Sequence, residues 1–187
     1  MEATYRALCA HGYANLTMQG IADEFEKSKS LIHYHYDTKE ELFVAFLEYL
    51  LDRYTEGVEV SETDDPLDRL EEFLDVFVVA PDDEDAASLV VDVVEFRSQA
   101  AHNEAYREQL ASNYEAILDV FAGIIEDGIK AGVFREVDPR RTAELLFAAL
   151  DGARNRQVTL DAPEATTTMR ETLMEQVVEP LLLEEGR

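Results

Sequence analysis

Apolar side chains recur three or four positions apart along almost the whole chain, and runs that alternate apolar and polar residues are short. This spacing is typical of helices with one buried face rather than of strands. The sequence holds only eight glycines and five prolines, so few residues interrupt a helix. The pattern predicts an all-α fold of nine helices. They are expected at about residues 2–11, from 17, 28–34, from 38, 66–79, 85–99, 103–131, 138–159 and 163–183.

Two of the helix starts carry capping residues. Thr17 is of the type that accepts a backbone N–H at the first turn of a helix. Thr38 and Glu41 have the spacing of a capping box, in which each side chain satisfies a backbone N–H of the other. The apolar stripe that follows Thr38 continues to Tyr54. This fourth helix is therefore expected to link an N-terminal domain, residues 1–41, to a second domain, residues 42–187.

Composition confines the chain to a few classes of protein. Its 187 residues include 41 acidic and 16 basic side chains, for a net charge of −25, yet 47% of them are hydrophobic. A disordered acidic tail would lack that apolar content. No apolar run is long enough to span a membrane, and the N-terminus does not read as a secretory signal. With Cys9 as the single cysteine, we expect a folded cytoplasmic protein of one or two domains.

The basic residues are themselves unusual, since twelve are arginines and only four are lysines. Lysine brings a long apolar stem to the surface, whereas short carboxylates hold water and cations. Acid-rich, lysine-poor chains with ordinary cores resemble proteins of extreme halophiles. An ordinary acidic cytoplasmic protein is the alternative interpretation.

The acidity is divided unevenly along the chain. Residues 1–40 hold four basic and six acidic side chains, a net charge of −2, whereas residues 41–187 hold twelve and thirty-five, a net charge of −23. A large negative charge disfavours a nucleic-acid partner, because phosphates are repelled by acidic surfaces. That objection does not apply to the nearly neutral first forty residues.

Three short predicted helices within forty residues, the second and third joined by a tight turn, indicate a helix-turn-helix DNA-binding domain. The recognition helix must offer short polar residues to base edges and cations to phosphates, and the second helix offers an N-terminus to phosphate. Leu31 could contact a thymine methyl group or pack inward, and the aromatic run at 33–36 could instead pack against the fourth helix. The candidate DNA contacts are Thr17, Gln19, Ser28, Lys29, Ser30, Leu31, His33, Tyr34 and His35.

This arrangement closely resembles the DNA-binding domain of TetR-family regulators over about residues 3–50. The family pattern is a glycine–aromatic pair, a threonine-capped helix with Ile-Ala, a recognition helix opened by Ser-Lys, an aromatic cluster and Lys-Glu-x-Leu. The resemblance implies a DNA-binding transcription regulator, most often a repressor, and gives Lys39 a phosphate contact. The matching residues are Gly12-Tyr13, Leu16-Thr17-Met18, Ile21-Ala22, Ser28-Lys29, His33-Tyr34-His35-Tyr36 and Lys39-Glu40-Glu41-Leu42.

The chain departs from the family pattern in the turn of the helix-turn-helix. Phe25-Glu26-Lys27 stands where the family has a small residue, glycine and valine, and Ser30-Leu31 stands where it has Gly-Thr. Loss of a glycine that favours positive φ costs about 1 kcal/mol or shifts the turn. The alternative function is therefore a helical interaction or ligand-binding protein whose helix-turn-helix no longer binds DNA.

The second domain is similar to the C-terminal domain of TetR relatives in the choline-responsive repressor branch, on Glu95–Glu104, Gly128, Gly132-Val133-Phe134, Asp138-Pro139 and Leu145–Gly152. That resemblance implies a homodimer paired through the last two helices, a palindromic operator and a small-molecule effector. A small-residue seam and an apolar stripe on those helices suit such pairing, and an intramolecular core would use the same stripe. The interface candidates are Ala148, Ala149, Gly152, Ala153, Met169, Leu173, Val177 and Leu181.

Aromatic and polar residues at helical spacing are candidates to line the effector pocket, although aromatics so placed more often fill a core. A cage of aromatic faces around a quaternary ammonium ion is one form that this pocket could take. The candidate liners are Tyr54, Phe77, Phe96, His102, Asn103, Tyr106, Tyr114 and Phe121.

Catalytic motifs are missing from the sequence: it has no Gly-x-Ser-x-Gly elbow, phosphate loop, dinucleotide fingerprint or metal-spaced ligand set. His33 and His35 are two positions apart, and side chains so spaced on a helix point apart. We expect neither an enzyme nor a cofactor or metal, and double-stranded DNA, a second copy of the chain and a small effector as the partners.

Overall fold

The computed structural model describes residues 1–24, 32, 34–59 and 63–183, with residues 56–59 described as backbone only. Within these residues the chain forms eight α-helices, which confirms the predicted all-α fold. A π-helical turn, Met174–Val178, and a 3₁₀ turn, Glu179–Leu181, follow the last of them. None of the described helices combines the length and apolar character that crossing a lipid bilayer requires. The helices are α1 Glu2–Asn15, α2 Met18–Asp23, α3 Lys39–Glu59, α4 Pro66–Asp75, α5 Glu84–Ala100, α6 Glu104–Lys130, α7 Pro139–Thr159 and α8 Ala165–Leu173.

The capping residues act where the sequence predicts them. The Thr17 hydroxyl accepts the N–H of Gly20 at 3.0 Å and so starts α2. At α3, the Thr38 hydroxyl accepts the N–H of Glu41 at 3.1 Å. In a capping box the Glu41 carboxylate would accept the N–H of Thr38. Here it accepts the N–H of the preceding residue, Asp37, at 2.9 Å. These side chains satisfy N–H groups that have no partner within a helix.

The last helix is shorter than predicted. The sequence predicts one helix over 163–183, but the α-helical backbone ends at Leu173 and gives way to the π and 3₁₀ turns. Pro180 has no N–H to donate to the preceding turn, and its ring crowds that turn, so a regular α-helix cannot pass through it. Beyond this proline, the N–H of Leu183 donates instead to the carbonyl of Val133 at 2.9 Å.

The chain divides into two compact units, residues 1–52 with 83–113, and residues 53–82 with 114–187. This division differs from the boundary predicted after residue 41, because α5 and the first part of α6 belong with the N-terminal helices. The reason lies in α1, which packs against α5 as well as against α2. The first unit is therefore a helix-turn-helix with an additional supporting helix.

The core of the second unit is aromatic, with polar groups joined in pairs. Phe77 lies between Phe73 and Phe147, with ring centroids 5.4 and 5.3 Å away. Beside this cluster, the buried Gln157 amide donates to the carbonyl of Val79 at 2.9 Å and its oxygen accepts from the Thr166 hydroxyl at 2.7 Å. Each buried polar atom of this group thus has a partner, as burial requires.

The close approach of an aromatic ring requires glycine at one position of α6. A Cβ atom at Gly128 of α6 would lie 2.0 Å from the ring of Phe134, which is buried. No larger residue fits there without moving that ring. Four residues later Gly132 has φ of 72°, a conformation that favours glycine, and α6 has ended.

Candidate nucleic-acid interface and ligand site

The structure describes some of the residues that are predicted to contact DNA, and others lie outside its described ranges. Thr17 and Gln19 lie on the exposed side of α2, where Gln19 Nε2 donates to the Asp23 carboxylate at 2.9 Å. Tyr34 is 81% exposed and His35 is exposed beside it, their rings 5.2 Å apart. Both have helical backbone, as the predicted recognition helix requires. Outside the described residues lie Ser28, Lys29, Ser30, Leu31 and His33, whose DNA contacts stay predictions.

Lys39, to which the resemblance gives a phosphate contact, has three contacts within the first unit. Its Nζ donates to the carbonyl of Tyr13 at 2.9 Å and lies 4.5 Å from the centroid of the Tyr13 ring and 5.2 Å from that of Phe43. Burial lowers the pKa of this ammonium group, and the Glu95 carboxylate opposes that shift. This ammonium group thus bonds a backbone carbonyl and lies over two aromatic rings of the first unit, and its phosphate contact stays a prediction.

Tyr13 is held at both of its backbone polar groups. Its N–H donates to Asp92 Oδ1 of α5 at 2.8 Å, while its carbonyl accepts from Lys39 of α3. Gly12, at φ of 68° and ψ of 160°, interrupts the helical backbone of α1 at this point, so an acceptor outside the helix is needed. We call Tyr13, Lys39 and Asp92 the Tyr13 clamp. It joins α1, α3 and α5 through one residue.

The side chain of Tyr13 adds aromatic contacts to the clamp. Its ring centroid lies 5.0 Å from that of Phe43 and 4.5 Å from that of Phe96, at inclined angles favourable for aromatic pairs. Its hydroxyl donates to that of Tyr106 at 3.4 Å. Burial, together with the neighbouring Tyr13, raises the pKa of Tyr106 far above its ordinary range, so this phenol stays protonated.

Four of the predicted pocket residues belong to this first unit. Phe96 and Tyr106 are buried against Tyr13, whereas His102 is exposed. Asn103 is a connector: its oxygen accepts the N–H of Tyr106 at 3.1 Å and its amide donates to the carboxylate of Glu40. These contacts make Phe96, Asn103 and Tyr106 part of the support for the DNA-binding helices.

The Asp92 carboxylate is buried with only one of its oxygens paired. The residue is 1% exposed, and Oδ2 has no hydrogen-bond partner within the described residues. Burial raises the pKa of this carboxyl to about 6, with the Tyr13 N–H acting against the shift and Glu95 adding to it. An ionised carboxylate with an unpaired buried oxygen destabilises the fold.

The second unit contains the other four predicted pocket residues. Phe77 and Phe121 are fully buried with centroids 5.9 Å apart, Tyr54 is half-buried, and Tyr114 is 36% exposed against Phe147. The predicted set is thus divided between the two units.

Arg154 lies within this aromatic group, and the sequence reasoning missed it. Its Nη2 donates to the Tyr54 hydroxyl at 3.0 Å, and its guanidinium carbon lies 5.5 and 5.7 Å from the ring centroids of Tyr54 and Phe77. The guanidinium thus lies over two of the predicted aromatic faces, those of Tyr54 and Phe77. Its spacing was the available signal, because a residue four positions after Leu150, which is buried, lies on the same helix face.

Residues predicted for the dimer interface differ in exposure. Ala153, Leu173 and Leu181 are buried within the chain itself and pack its own core, which was the alternative interpretation of the stripe. The rest remain accessible: Ala148 and Gly152 are exposed and Ala149, Met169 and Val177 are partly so. A Cβ atom at Gly152 would meet no atom of the chain within 4 Å.

The missed residues had weak signals in the sequence. Asp92 interrupts the apolar run Leu89-Val90-Val91-Asp92-Val93-Val94, and a carboxylate at such a place is expected to have a specific partner. The partner itself, a backbone N–H seventy-nine residues earlier, has no signature. Within the described residues, no group of three or more His, Cys, Asp or Glu side chains is arranged to hold a metal ion.

Comparison with known proteins agrees with this geometry. A family model described as bacterial regulatory proteins of the tetR family matches residues 1–46, and one described as the C-terminal domain of BetI-type transcriptional repressors matches residues 66–182. ArpR of Pseudomonas putida, described as an HTH-type transcriptional regulator, is 28% identical over 177 residues, covering 86% of this chain and 79% of that protein.

Solved structures extend the similarity to nearly the whole chain. A TetR transcription regulator from Haloarcula marismortui is 42% identical, with a TM-score of 0.85 over 97% of this chain and 95% of that one. A transcriptional regulator from Saccharomonospora viridis, solved in complex with choline, shares the fold at 24% identity and a TM-score of 0.75, covering 98% and 95% of the two chains.

The two family matches, one to a helix-turn-helix region and one to the C-terminal region of repressors, define a DNA-binding regulator of transcription rather than an enzyme. The chain belongs to the TetR family of transcriptional regulators, with a C-terminal region of the BetI type.

The buried Asp92 carboxylate gives stability a defined pH dependence. Because its pKa is about 6 in the folded protein and 3.8 ordinarily, its contribution is fully present below pH 3.8 and is lost as the pH rises through 6. Asp92→Asn keeps an acceptor for the Tyr13 N–H without the charge. We expect this variant to be more stable than the parent chain by about 1–2 kcal/mol at about pH 8, and the difference to shrink toward about pH 4.

Urea unfolding of both chains at a series of pH values measures this difference. Asp85→Asn is the matched control, because it removes an exposed carboxylate from the same helix. A stability difference between Asp92→Asn and the parent chain that stays constant over that pH range would show that Asp92 is not the buried acid described here.

Proposed function

We propose that this regulator acts in the cytoplasm as a ligand-responsive homodimeric repressor that binds a palindromic operator through the helix-turn-helix of each copy. The observation that carries the DNA contact is the exposure of Tyr34 and His35 on helical backbone, close in sequence to the capped N-terminus of α2. Aromatic and imidazole side chains placed there can hydrogen-bond to phosphates and base edges. The predicted contacts of Ser28, Lys29, Ser30, Leu31 and His33 belong to the same proposal.

Charge supports the same orientation toward DNA. The first forty residues carry a net charge of −2, against −23 for the remainder. In the structure without DNA the Lys39 ammonium group is bonded to the Tyr13 carbonyl, and its predicted phosphate contact belongs to the same proposal. Binding therefore depends on hydrogen bonds and helix N-termini more than on a dense basic patch. A composition of this kind suits a cell interior of molar salt, where charge repulsion extends only about 3 Å.

The homodimer rests on the outer face of α7. Leu145, which is 53% exposed, lies at helical spacing from Ala148, Ala149 and Gly152. Small residues beside an exposed leucine allow a second helix to approach closely. With Met169 and Val177 on the following segment, this face can pair with its copy about a two-fold axis, which a palindromic operator requires.

The effector would act through the Tyr13 clamp. Both α3 and α6 begin in the first unit and continue along the chain into the second. A ligand that shifted either helix would change the contacts of Lys39 or of Asn103, and through them the position of Tyr13 and α1. Such a ligand must bind one position of these helices more tightly than the other, and DNA must then weaken ligand binding by the same factor.

Operator binding tests the proposed function. In fluorescence anisotropy at molar potassium chloride, we expect the dimer to bind a fragment of the DNA upstream of its own gene more tightly than a shuffled fragment. Tyr34→Ala should weaken specific binding by about tenfold, which corresponds to a base or phosphate contact of 1–3 kcal/mol. Leu160→Ala removes an exposed apolar side chain of the second unit and should leave affinity unchanged.

Two outcomes would contradict this proposal. Failure of the parent chain to distinguish the two fragments would favour the alternative, a helical protein whose helix-turn-helix no longer binds DNA. Equal effects of Tyr34→Ala and Leu160→Ala would remove Tyr34 from the interface. Because Tyr34 is 81% exposed, its replacement is expected to leave the urea midpoint unchanged, so misfolding can be recognised.

Gly152 offers a test of the dimer. Multi-angle light scattering of the parent chain should give about twice its 21.2 kDa. Gly152→Glu should give the monomer mass, since the new side chain has space in the isolated chain but places a charge between two closely approaching helices. Gly123→Glu, at another helical glycine whose Cβ would meet nothing within 4 Å, is the matched control and should stay dimeric. A parent chain of monomer mass, or a dimeric Gly152→Glu, would refute this interface.

A further inference from the structure

The second unit contains an arginine whose surroundings differ from those of its neighbours. Four other arginines of that unit form ion pairs with carboxylates, namely Arg69, Arg140, Arg141 and Arg170. Within the described residues, Arg154 has no such partner. Its Nε is buried without any hydrogen bond. A half-buried cation without a carboxylate partner among the described residues calls for a physical account in so acidic a chain.

Helix geometry directs Arg154 toward the core rather than toward solvent. It follows Leu150 by four positions and Phe147 by seven, and both of those residues are buried on α7. Residues so spaced lie on one helix face. The exposed face of α7, with Leu145, Ala148 and Gly152, lies on the other side. Arg154 therefore belongs to the interior of this unit and not to the proposed dimer face.

The groups around Arg154 are suited to an anion with an apolar body. Tyr54 accepts a hydrogen bond from Nη2, which leaves its own hydroxyl proton available to a second acceptor. Behind Tyr54 stand the rings of Phe77, Phe73, Phe121 and Phe147, all buried. Tyr54 is half-buried and Tyr114 is 36% exposed, so these two rings form the accessible margin of the aromatic group.

We propose that Arg154 and the Tyr54 hydroxyl bind the carboxylate of an organic acid whose apolar part contacts the aromatic rings of the second unit. This rests on the proposed function, in which that unit binds the effector. Guanidinium and carboxylate pair through charge-assisted hydrogen bonds, and such a pair supplies the partner that Nε lacks. A quaternary ammonium effector is disfavoured at this place, because the guanidinium already covers the faces of Tyr54 and Phe77. The regulator is thereby assigned an anionic effector.

Two fluorescent probes that differ by a single charged group test this proposal. 8-Anilinonaphthalene-1-sulfonate is an aromatic anion, and N-phenyl-1-naphthylamine has the same ring system without the sulfonate. At molar potassium chloride and without DNA, we expect saturable binding of the anion. Arg154→Gln should weaken it by at least about tenfold while changing binding of the neutral probe less than about twofold. Arg156→Gln removes an exposed arginine of the same helix and should alter neither.

Competition identifies the charge that the site prefers. Decanoate should displace the anionic probe from the parent chain, and decyltrimethylammonium, which has the same alkyl chain with the opposite charge, should not. Tyr54→Phe keeps the guanidinium and removes one donor, so it should weaken decanoate by about threefold to tenfold. This second variant keeps the proposal testable if Arg154→Gln lowers the urea midpoint enough to unfold the chain.

Several results would overturn the proposal. They are the absence of saturable binding of the anionic probe, equal losses of both probes in Arg154→Gln, and displacement by the cation as effective as by decanoate. Operator binding by the parent chain is measured separately. Loss of anion selectivity with intact operator binding would refute only the carboxylate site, whereas intact anion selectivity without operator binding would refute only the repressor.

Discussion

The backbone of Tyr13 is the point on which the first unit depends. Gly12 breaks the helical hydrogen-bond pattern of α1, and the chain satisfies the resulting polar groups with Asp92 from α5 and Lys39 from α3. The ring of Tyr13 then fills the space between Phe43 and Phe96. Three helices that are far apart in sequence thereby contact one residue. These contacts explain why α5 belongs to the same compact unit as the N-terminal helices.

The Tyr13 clamp includes a buried carboxylate, Asp92, whose ionised form destabilises the fold. Burying Asp92 with one oxygen unpaired and Glu95 nearby raises its pKa to about 6, so the ionised form works against folding. Proteins retain such groups where they fix one arrangement among several that apolar packing would tolerate. Here the arrangement fixed is the position of α1 relative to α5.

The two parts of the chain differ in net charge, and the difference matches the partner proposed for each. The segment that meets phosphate in the proposal is nearly neutral, and the surface acids lie in the remaining chain. Four arginines of the second unit pair with carboxylates, as Arg170 does with Glu71 and Asp75. Arg154 is set apart from that pattern by its helix face and its aromatic neighbours. The total charge of −25 therefore conceals two local environments, one suited to DNA and one to an organic anion.

Local features of the fold were predictable, because they depend on neighbouring residues. Helix periodicity, the cap at Thr17, the proline at the start of α7 and the family pattern across residues 12–42 all follow from short-range chemistry. Long-range partners were not predictable, because nothing in the sequence pairs Asp92 or Lys39 with the backbone of Tyr13. Exposure could not be predicted either, since Leu173 and Leu181 have the spacing of an interface and the burial of a core.

Hydrogen exchange of the dimer with and without operator DNA tests the central role of the clamp most directly. Exchange reports local opening, so coupling appears as protection away from the DNA itself. In the parent chain, operator should slow exchange in α2 and also in α5, and in Asp92→Ala the slowing should persist in α2 but disappear from α5. Operator-dependent protection of α5 that is unchanged in Asp92→Ala, or absent from the parent chain, would contradict the account.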